Sequence, residues 1–295
     1  MHGVIVVDKP EGWTSHDVVS KVRRIAQTKR VGHLGTLDPM ATGVLPLVIG
    51  RATRLAQFYS RNDKRYDAVI RFGFATDTYD RDGAPEGPVT EPLLDPAEVE
   101  RALQPFRGVF AQTPPPVSAK KIGGVPAYRL ARKGKAPVNL EPVDVTVFSL
   151  KVLECEGFRV RVDAHCSAGT YLRSIAHEAG RALGCGAHLE NLRRTQSGDF
   201  SLDAAHTIPE LELLAAEGRL AEALIPAAEL LPQFPAEHVD VLTAGQIRQG
   251  RDFRVSPFRA SGNKYVKAIG QDGDLIAIGE ARLPNVYHPI LVLAD

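Results

Sequence analysis

Apolar and polar positions along the chain change period repeatedly, and each change marks an element. The short apolar run Val4 to Val7 predicts an opening strand. Val18, Val19, Val22 and Ile25 recur at helical spacing and predict a helix from Asp17 to Gln27, capped near Ser15. Val44 to Ile49 is a continuous apolar run, as expected of an element buried against a core. Arg65 to Phe74 alternates as a strand and ends in the polar turn TDTYDRDG. A short helix is expected at Glu98 to Leu103. Strands are expected at Val143 to Leu153 and Phe158 to Cys166, joined through Glu156-Gly157. The stretch SAGTYLRSIAHEAGRALGCGAH turns from loop to helix at Thr170, with Tyr171 and Arg173 in the first turn and an end near Gly184. A further helix, Ile208 to Leu224, carries Leu211, Leu214 and Leu220 and leads into the Pro-containing linker IPAAELLPQFP. Beyond about Phe234 the pattern becomes short strands: HVDVLT, GRDFRV, KYVKAIG, DLIAIGEARL and YHPILVLA. Asp272-Gly273 forms a hairpin turn between two of them.

A length of 295 residues with 44% apolar content suits a globular chain with one large domain, 1–230, and a small β-rich one, 235–295. No apolar segment is long enough to span a membrane, and MHGVIVVDKP lacks the parts of a signal peptide, so a cytoplasmic protein is expected. Cys155, Cys166 and Cys185 are odd in number and show no metal-type spacing. They read as buried thiols, and with no HExxH-like histidine set no metal is expected.

Net charge is only +1, yet it is unevenly placed. Lys21, Arg23, Arg24, Lys29 and Arg30 form one block without acids. Lys120, Lys121, Arg129, Arg132, Lys133 and Lys135 form another, within the Pro- and Gly-bounded stretch 113–137, which reads as a protruding arm. Segregated basic blocks in a near-neutral chain point to a polyanionic partner.

The chemistry concentrates at RVGHLGTLDPMATGVLPLVIGRATR, where Gly32, Gly35, Pro39 and Gly43 impose turn geometry on a loop carrying a single carboxylate, Asp38. The chain has no GxSxG elbow, no GxxxxGK[ST] loop and no strand-bound GxGxxG, which removes the usual serine-hydrolase, phosphate-loop and dinucleotide readings. What remains is a rigidly held Asp38, the aromatic hydroxyl of Tyr66 beside Lys64 and Arg65, and Arg173 at a helix start. An aspartate can serve as nucleophile or base, an arginine can keep it ionised, and a tyrosine can stack on a base or move a proton.

GHLGTLDPMATGVLP, KRYDAVIRFGFATDTYDRDG, SAGTYLRSIAHEAGRALGCGAHLENLRR and VVDKPEGWTSHDVV together resemble the bacterial TruB-type tRNA pseudouridine synthases, in the expected order from about Val4 to Arg194. The resemblance implies an α+β fold with a mixed, mostly antiparallel central sheet flanked by helices, and a small β-rich C-terminal domain of the PUA-like RNA-binding kind. It implies isomerisation of uridine 55 in the tRNA T-loop by base flipping, without a cofactor, a metal or an obligatory protein partner, by a monomer. By the same resemblance Asp38 is the catalytic aspartate, Tyr66 stacks on the target uracil and is a candidate for proton transfer, and Arg173 pairs with Asp38. His33 occupies the space left by the flipped nucleotides, Tyr171 and Leu192 line the base pocket, and the arm grips the T-arm. Asp80 matches an acidic position left without a role, and the resemblance does not decide whether Asp38 attacks C1′ or C6. A guide-dependent relative and an inactive tRNA binder are the competing readings. The arm and the short C-terminal segment disfavour the first, and the intact Asp38, Tyr66 and Arg173 disfavour the second.

Overall fold

The computed structural model describes residues 1–117, 121–122, 125–126, 141–256 and 262–293. Of the basic positions in the expected arm, Lys120, Arg129, Arg132, Lys133 and Lys135 lie outside the described residues. Lys121 enters only through a two-residue antiparallel ladder, 121–122 against 125–126.

The chain opens with β1 (Gly3–Lys9), α1 (Ser15–Ile25), β2 (Val31–His33), β3 (Thr42–Ile49) and β4 (Lys64–Phe72). It continues through α2 (Pro96–Leu103), β5 (Gly108–Gln112), β6 (Val143–Glu156), β7 (Arg159–Cys166), α3 (Leu172–Ala182), β8 (Ala187–Ser197) and α4 (Ile208–Ala216). The main sheet runs β1-β3-β8-β4-β7-β6-β5, with the short strand Ala205–His206 parallel to β1 at one end. β3 and β8 are also parallel, and the other pairs along this path are antiparallel. The expected mixed, mostly antiparallel sheet with flanking helices is therefore present.

Side-chain pattern explains which strands are central. β1 and β3 are nearly continuous apolar runs because both their faces are covered. Ile5, Val7, Leu45 and Leu47 enter the main core under the helices, whereas Val4, Val6, Val44 and Val48 enter a second cluster on the opposite face. β4 alternates instead. Tyr66, Ala68, Ile70 and Phe72 point into the core, while Arg65 and Asp67 point outward, where Asp67 pairs with Arg161 of β7.

A second sheet comprises β9 (Ala236–His238), β10 (Phe253–Arg254), β11 (Tyr265–Ile269), β12 (Leu275–Leu283) and β13 (Val286–Val292), in the order β9-β11-β12-β13-β10. One side carries its own core with Ile247, Val266, Ile276 and Tyr287. The other contributes Ile269, Leu275, Ile278 and Leu291 to the same cluster as Val4 of the larger sheet and Leu55 and Tyr59 of the 3-10 helix Gly50–Tyr59 that follows β3. The intervening linker is fastened from both sides. The backbone N–H of Leu231 donates to Tyr59 Oη at 3.0 Å, and Lys267 Nζ donates to the carbonyls of Ala228 and Leu230, both at 2.9 Å.

Several expectations need correction. HVDVLT is not a strand. Asp240 caps a helix, α5 (Val241–Arg248), by accepting from Thr243 N at 2.6 Å, which overrides the strand preference of its valines. The helix expected to reach Leu224 stops at Ala216, because Gly218 takes a φ of +73°, and only a 3-10 turn, Leu220–Ala223, follows. The cap of α1 is Thr14, in a reciprocal box with Asp17, and Ser15 turns inward. Only Cys166 is buried, and Cys155 and Cys185 are half-buried. In the first basic block, Lys21 pairs with Glu212 of α4 and Arg23 donates to the Val31 carbonyl at 3.0 Å, so these two charges serve the fold.

Because the two sheets share an apolar cluster, they should unfold together. Ile278→Ala is expected to cost about 2–5 kcal/mol and to lower one common melting transition. Calorimetry showing a separate low-temperature transition, with the main one unmoved, would mean that the C-terminal sheet stands apart.

Candidate active site

The six positions singled out as catalytic or base-contacting converge on one pocket of about 430 Å³, lined by His33, Asp38, Tyr66, Tyr171, Arg173 and Leu192. Tyr66 projects from the core face of β4, and Leu192 comes from β8, whose Arg194 pairs in register with Tyr66. Tyr171 and Arg173 stand at the start of α3, and Asp38 sits on the loop between β2 and β3.

The geometry of that loop is set by buried polar side chains from distant parts of the chain. Lys9, fully buried at the end of β1, donates to the carbonyls of Pro10 at 2.8 Å, Trp13 at 2.6 Å and Pro39 at 3.1 Å. Burial lowers the Lys9 pKa to about 8, with Asp38 opposing the shift. The amine is thus still mainly charged at pH 7, with three N–H groups for three acceptors. Ser15 makes a reciprocal pair with the Leu37 backbone. Its hydroxyl donates to the carbonyl at 3.1 Å and accepts from the N–H at 2.8 Å. Arg194, 1% exposed, donates to the carbonyls of Val44 at 2.7 Å, Gly35 at 3.1 Å and Thr36 at 3.2 Å. Where the loop rejoins the sheet, Gly43 has a φ of +97°, and a Cβ there would lie 2.2 Å from the Arg194 carbonyl oxygen. Only glycine permits that approach.

Arg173 grips the carboxylate itself. Its Nε lies 2.9 Å from Asp38 Oδ2 and its Nη2 donates to Oδ1 at 3.2 Å. The same guanidinium reaches Asp80 Oδ2 at 3.3 Å through Nη1 and donates to the carbonyls of Thr78 at 3.1 Å and Val117 at 2.9 Å. One planar fork therefore links the Asp38 loop, the polar turn after β4 and the segment after β5. The Asp38 side chain is 33% exposed, all that remains open toward the pocket, whereas that of Arg173 is 4% exposed. Withdrawal from water raises the Asp38 pKa above the ordinary carboxylate value, with Arg173 pulling it down and Asp80 pushing it up.

Asp80 is a site residue that the sequence left without a role. It is 6% exposed, and the turn holds it tightly, with Thr78 Oγ1 and the Asp82 N–H donating to its Oδ1 at 2.7 and 3.1 Å. Lys9 and Arg194 were also missed. A lysine directly behind an apolar strand and an inward-register arginine in β8 were the available signals, but their acceptors lie on other segments.

Tyr66 is 9% exposed, and burial raises the pKa of its hydroxyl, against the pull of Arg194. It is a neutral phenol at pH 7. Lys64, on the same face of β4, also lines the pocket, and burial and the neighbouring Arg194 lower its pKa. His33 stands at the exposed rim with its Nδ1 accepting from the Gly35 N–H at 3.4 Å. Desolvation and Arg194 keep its pKa low, so it presents a neutral ring. Leu192 and Tyr171 are half-buried and leave apolar and aromatic surface open to the pocket. The arrangement supplies one arginine-held carboxylate, a neutral phenol and an aromatic and apolar wall around one pocket.

Residues 23–172 match the N-terminal domain of the TruB family pseudouridylate synthases, and residues 173–232 match the tRNA pseudouridylate synthase B C-terminal domain. The site draws on both stretches, Asp38 and Tyr66 from the first and Arg173 and Leu192 from the second. The tRNA pseudouridine synthase B of Solibacter usitatus is 62% identical over 294 residues, which is 99% of this chain and 100% of that protein. That of Thermobifida fusca is 42% identical over 99% of this chain and 98% of its own length. Among solved structures, a chain from the crystal structure of a Cbf5–Nop10–Gar1 complex superposes with a TM-score of 0.73 at 26% identity, over 99% of this chain and 85% of that one. By sequence match along nearly its whole length, the chain belongs to the TruB family of pseudouridylate synthases.

Proposed function

We propose that this chain is a stand-alone cytoplasmic tRNA pseudouridine synthase that isomerises uridine 55 of the T-loop, with Asp38 as the reacting carboxylate. The observation that carries this reading is the Arg173–Asp38 pair facing a pocket walled by Tyr66. The tRNA substrate rests on likeness to relatives named tRNA pseudouridine synthase B, and the T-loop position on the motif resemblance alone. The bonding changes need no cofactor. The bond from N1 to C1′ breaks, the uracil turns within the pocket, C5 bonds to C1′, and the proton lost from C5 is balanced by one gained at N1.

A uridine stacked in a folded loop must first be everted, at a cost of about a few kcal/mol. Tyr66, Tyr171 and Leu192 offer the base stacking and apolar contact that offset this, and the neutral His33 ring at the rim can fill the gap it leaves. Asp38 then meets the nucleoside as an anion held by two guanidinium nitrogens, and the loop fixes its approach. The protonated phenol of Tyr66 enters as donor or relay. We assign Lys120, Lys121, Arg129, Arg132, Lys133 and Lys135 to the RNA backbone on their charge alone, and the sheet from Ala236 onward to PUA-like RNA contact.

Purified protein incubated alone with unmodified tRNA should form pseudouridine at position 55. Asp38→Asn should form none while binding tRNA nearly normally, and multiple turnover by a clean preparation of that variant would remove Asp38 from the chemistry. Since only ionised Asp38 can react, kcat/KM should fall as pH drops through its pKa, along a limb above the ordinary aspartate value of 3.8.

Tyr66→Phe separates stacking from proton movement. Binding should persist while kcat falls by about 10²-fold or more, the size of a general acid-base contribution. A Phe variant with wild-type kcat would leave Tyr66 a stacking role alone.

A further inference from the structure

The last residue of β5, at the edge of the main sheet, reaches across to the start of α3. Gln112 is 3% exposed, and its side-chain amide pairs with both backbone groups of one residue. Its Oε1 accepts from the Tyr171 N–H at 2.8 Å, and its Nε2 donates to the Tyr171 carbonyl at 3.0 Å. Tyr171 is the N-cap residue of α3, with φ −107° and ψ 108°, and its own side chain makes no capping hydrogen bond. The orientation of the helix start is therefore set from outside the helix. Two further ties run between the same segments, from Ser174 Oγ to the Thr113 carbonyl at 2.8 Å and from Arg173 Nη2 to the Val117 carbonyl at 2.9 Å.

We propose that Gln112 is a positioning residue for the reaction. By clamping the Tyr171 peptide groups it fixes the turn from which Arg173 reaches Asp38 and from which Tyr171 faces the base. The Asp38–Arg173 contact consists of one hydrogen bond, from Nη2 at 3.2 Å, and an ionic approach of Nε to 2.9 Å, so a small pivot at Tyr171 loosens it before it disturbs the helix. The inference rests on the reading of Asp38 as the reacting group. Gln112 touches neither Asp38 nor the pocket, so its effect must travel through Tyr171 and Arg173.

Gln112→Met keeps the volume and removes both hydrogen bonds. Gln112→Glu keeps the bond accepted from the Tyr171 N–H and loses the donated one. For the Met variant, the single-turnover rate at saturating unmodified tRNA should fall by about ten- to a hundredfold with Kd within about twofold. The acid limb of its pH–rate profile should also move to higher pH, since Arg173 holds the Asp38 pKa down and its withdrawal releases it. The Glu variant should lie between Met and wild type on both measures, and it decides the question alone if the Met variant fails to fold. A purely structural glutamine would lower melting temperature and leave the acid limb in place. A folded variant with the wild-type rate and an unmoved limb overturns the inference. A wild-type protein that forms no pseudouridine overturns the reading of the pocket, and the inference with it.

Discussion

The contact between Arg173 and Asp38 is the constraint around which the rest of the site is arranged. A carboxylate largely withdrawn from water keeps its charge only beside a cation, and a buried guanidinium is itself costly unless its remaining N–H groups are satisfied. Those groups find Asp80 and the carbonyls of Thr78 and Val117. Three segments are thereby drawn to one point. Breaking either partner would strand the other, so the ionic network contributes to specificity as much as to chemistry.

A charge held this way is useful only if the backbone carrying it cannot drift. Lys9, Ser15 and Arg194 satisfy loop carbonyls at Pro39, Leu37, Gly35 and Thr36, and each comes from an element already fixed by the sheet or by α1. The chemistry thus depends on packing elsewhere. β1 can place Lys9 only because Ile5 and Val7 on one face, and Val4 and Val6 on the other, hold the strand between two apolar clusters. The second of these clusters includes side chains of the C-terminal sheet.

Local pattern revealed what local physics decides. Gly and Pro spacing around Asp38 marked a rigid loop, alternation through Tyr66 marked a strand with one buried face, and the turn into helix at Thr170 placed Tyr171 and Arg173 together. The meeting of these pieces in one pocket was legible only through resemblance, because it depends on strand order and register. Asp80 matched an acidic position without a role, since nothing near it in sequence announces Arg173. Gln112 ends a strand whose pairing says nothing of its side chain's long reach. In HVDVLT, β-branched residues suggested a strand, yet one capping aspartate made a helix. Where a single side-chain hydrogen bond or a distant partner decides, periodicity is silent.

In the proposed reaction, the planar guanidinium placed against both Asp38 oxygens, and not merely a nearby positive charge, is what the pocket requires. Arg173→Lys tests this requirement most directly, because it keeps the charge and loses the fork. Measured as single-turnover conversion of saturating unmodified tRNA, the lysine variant should be slower by about one to three orders of magnitude while still folding in a single cooperative melt. A folded lysine variant that converts tRNA at the wild-type rate would contradict the account.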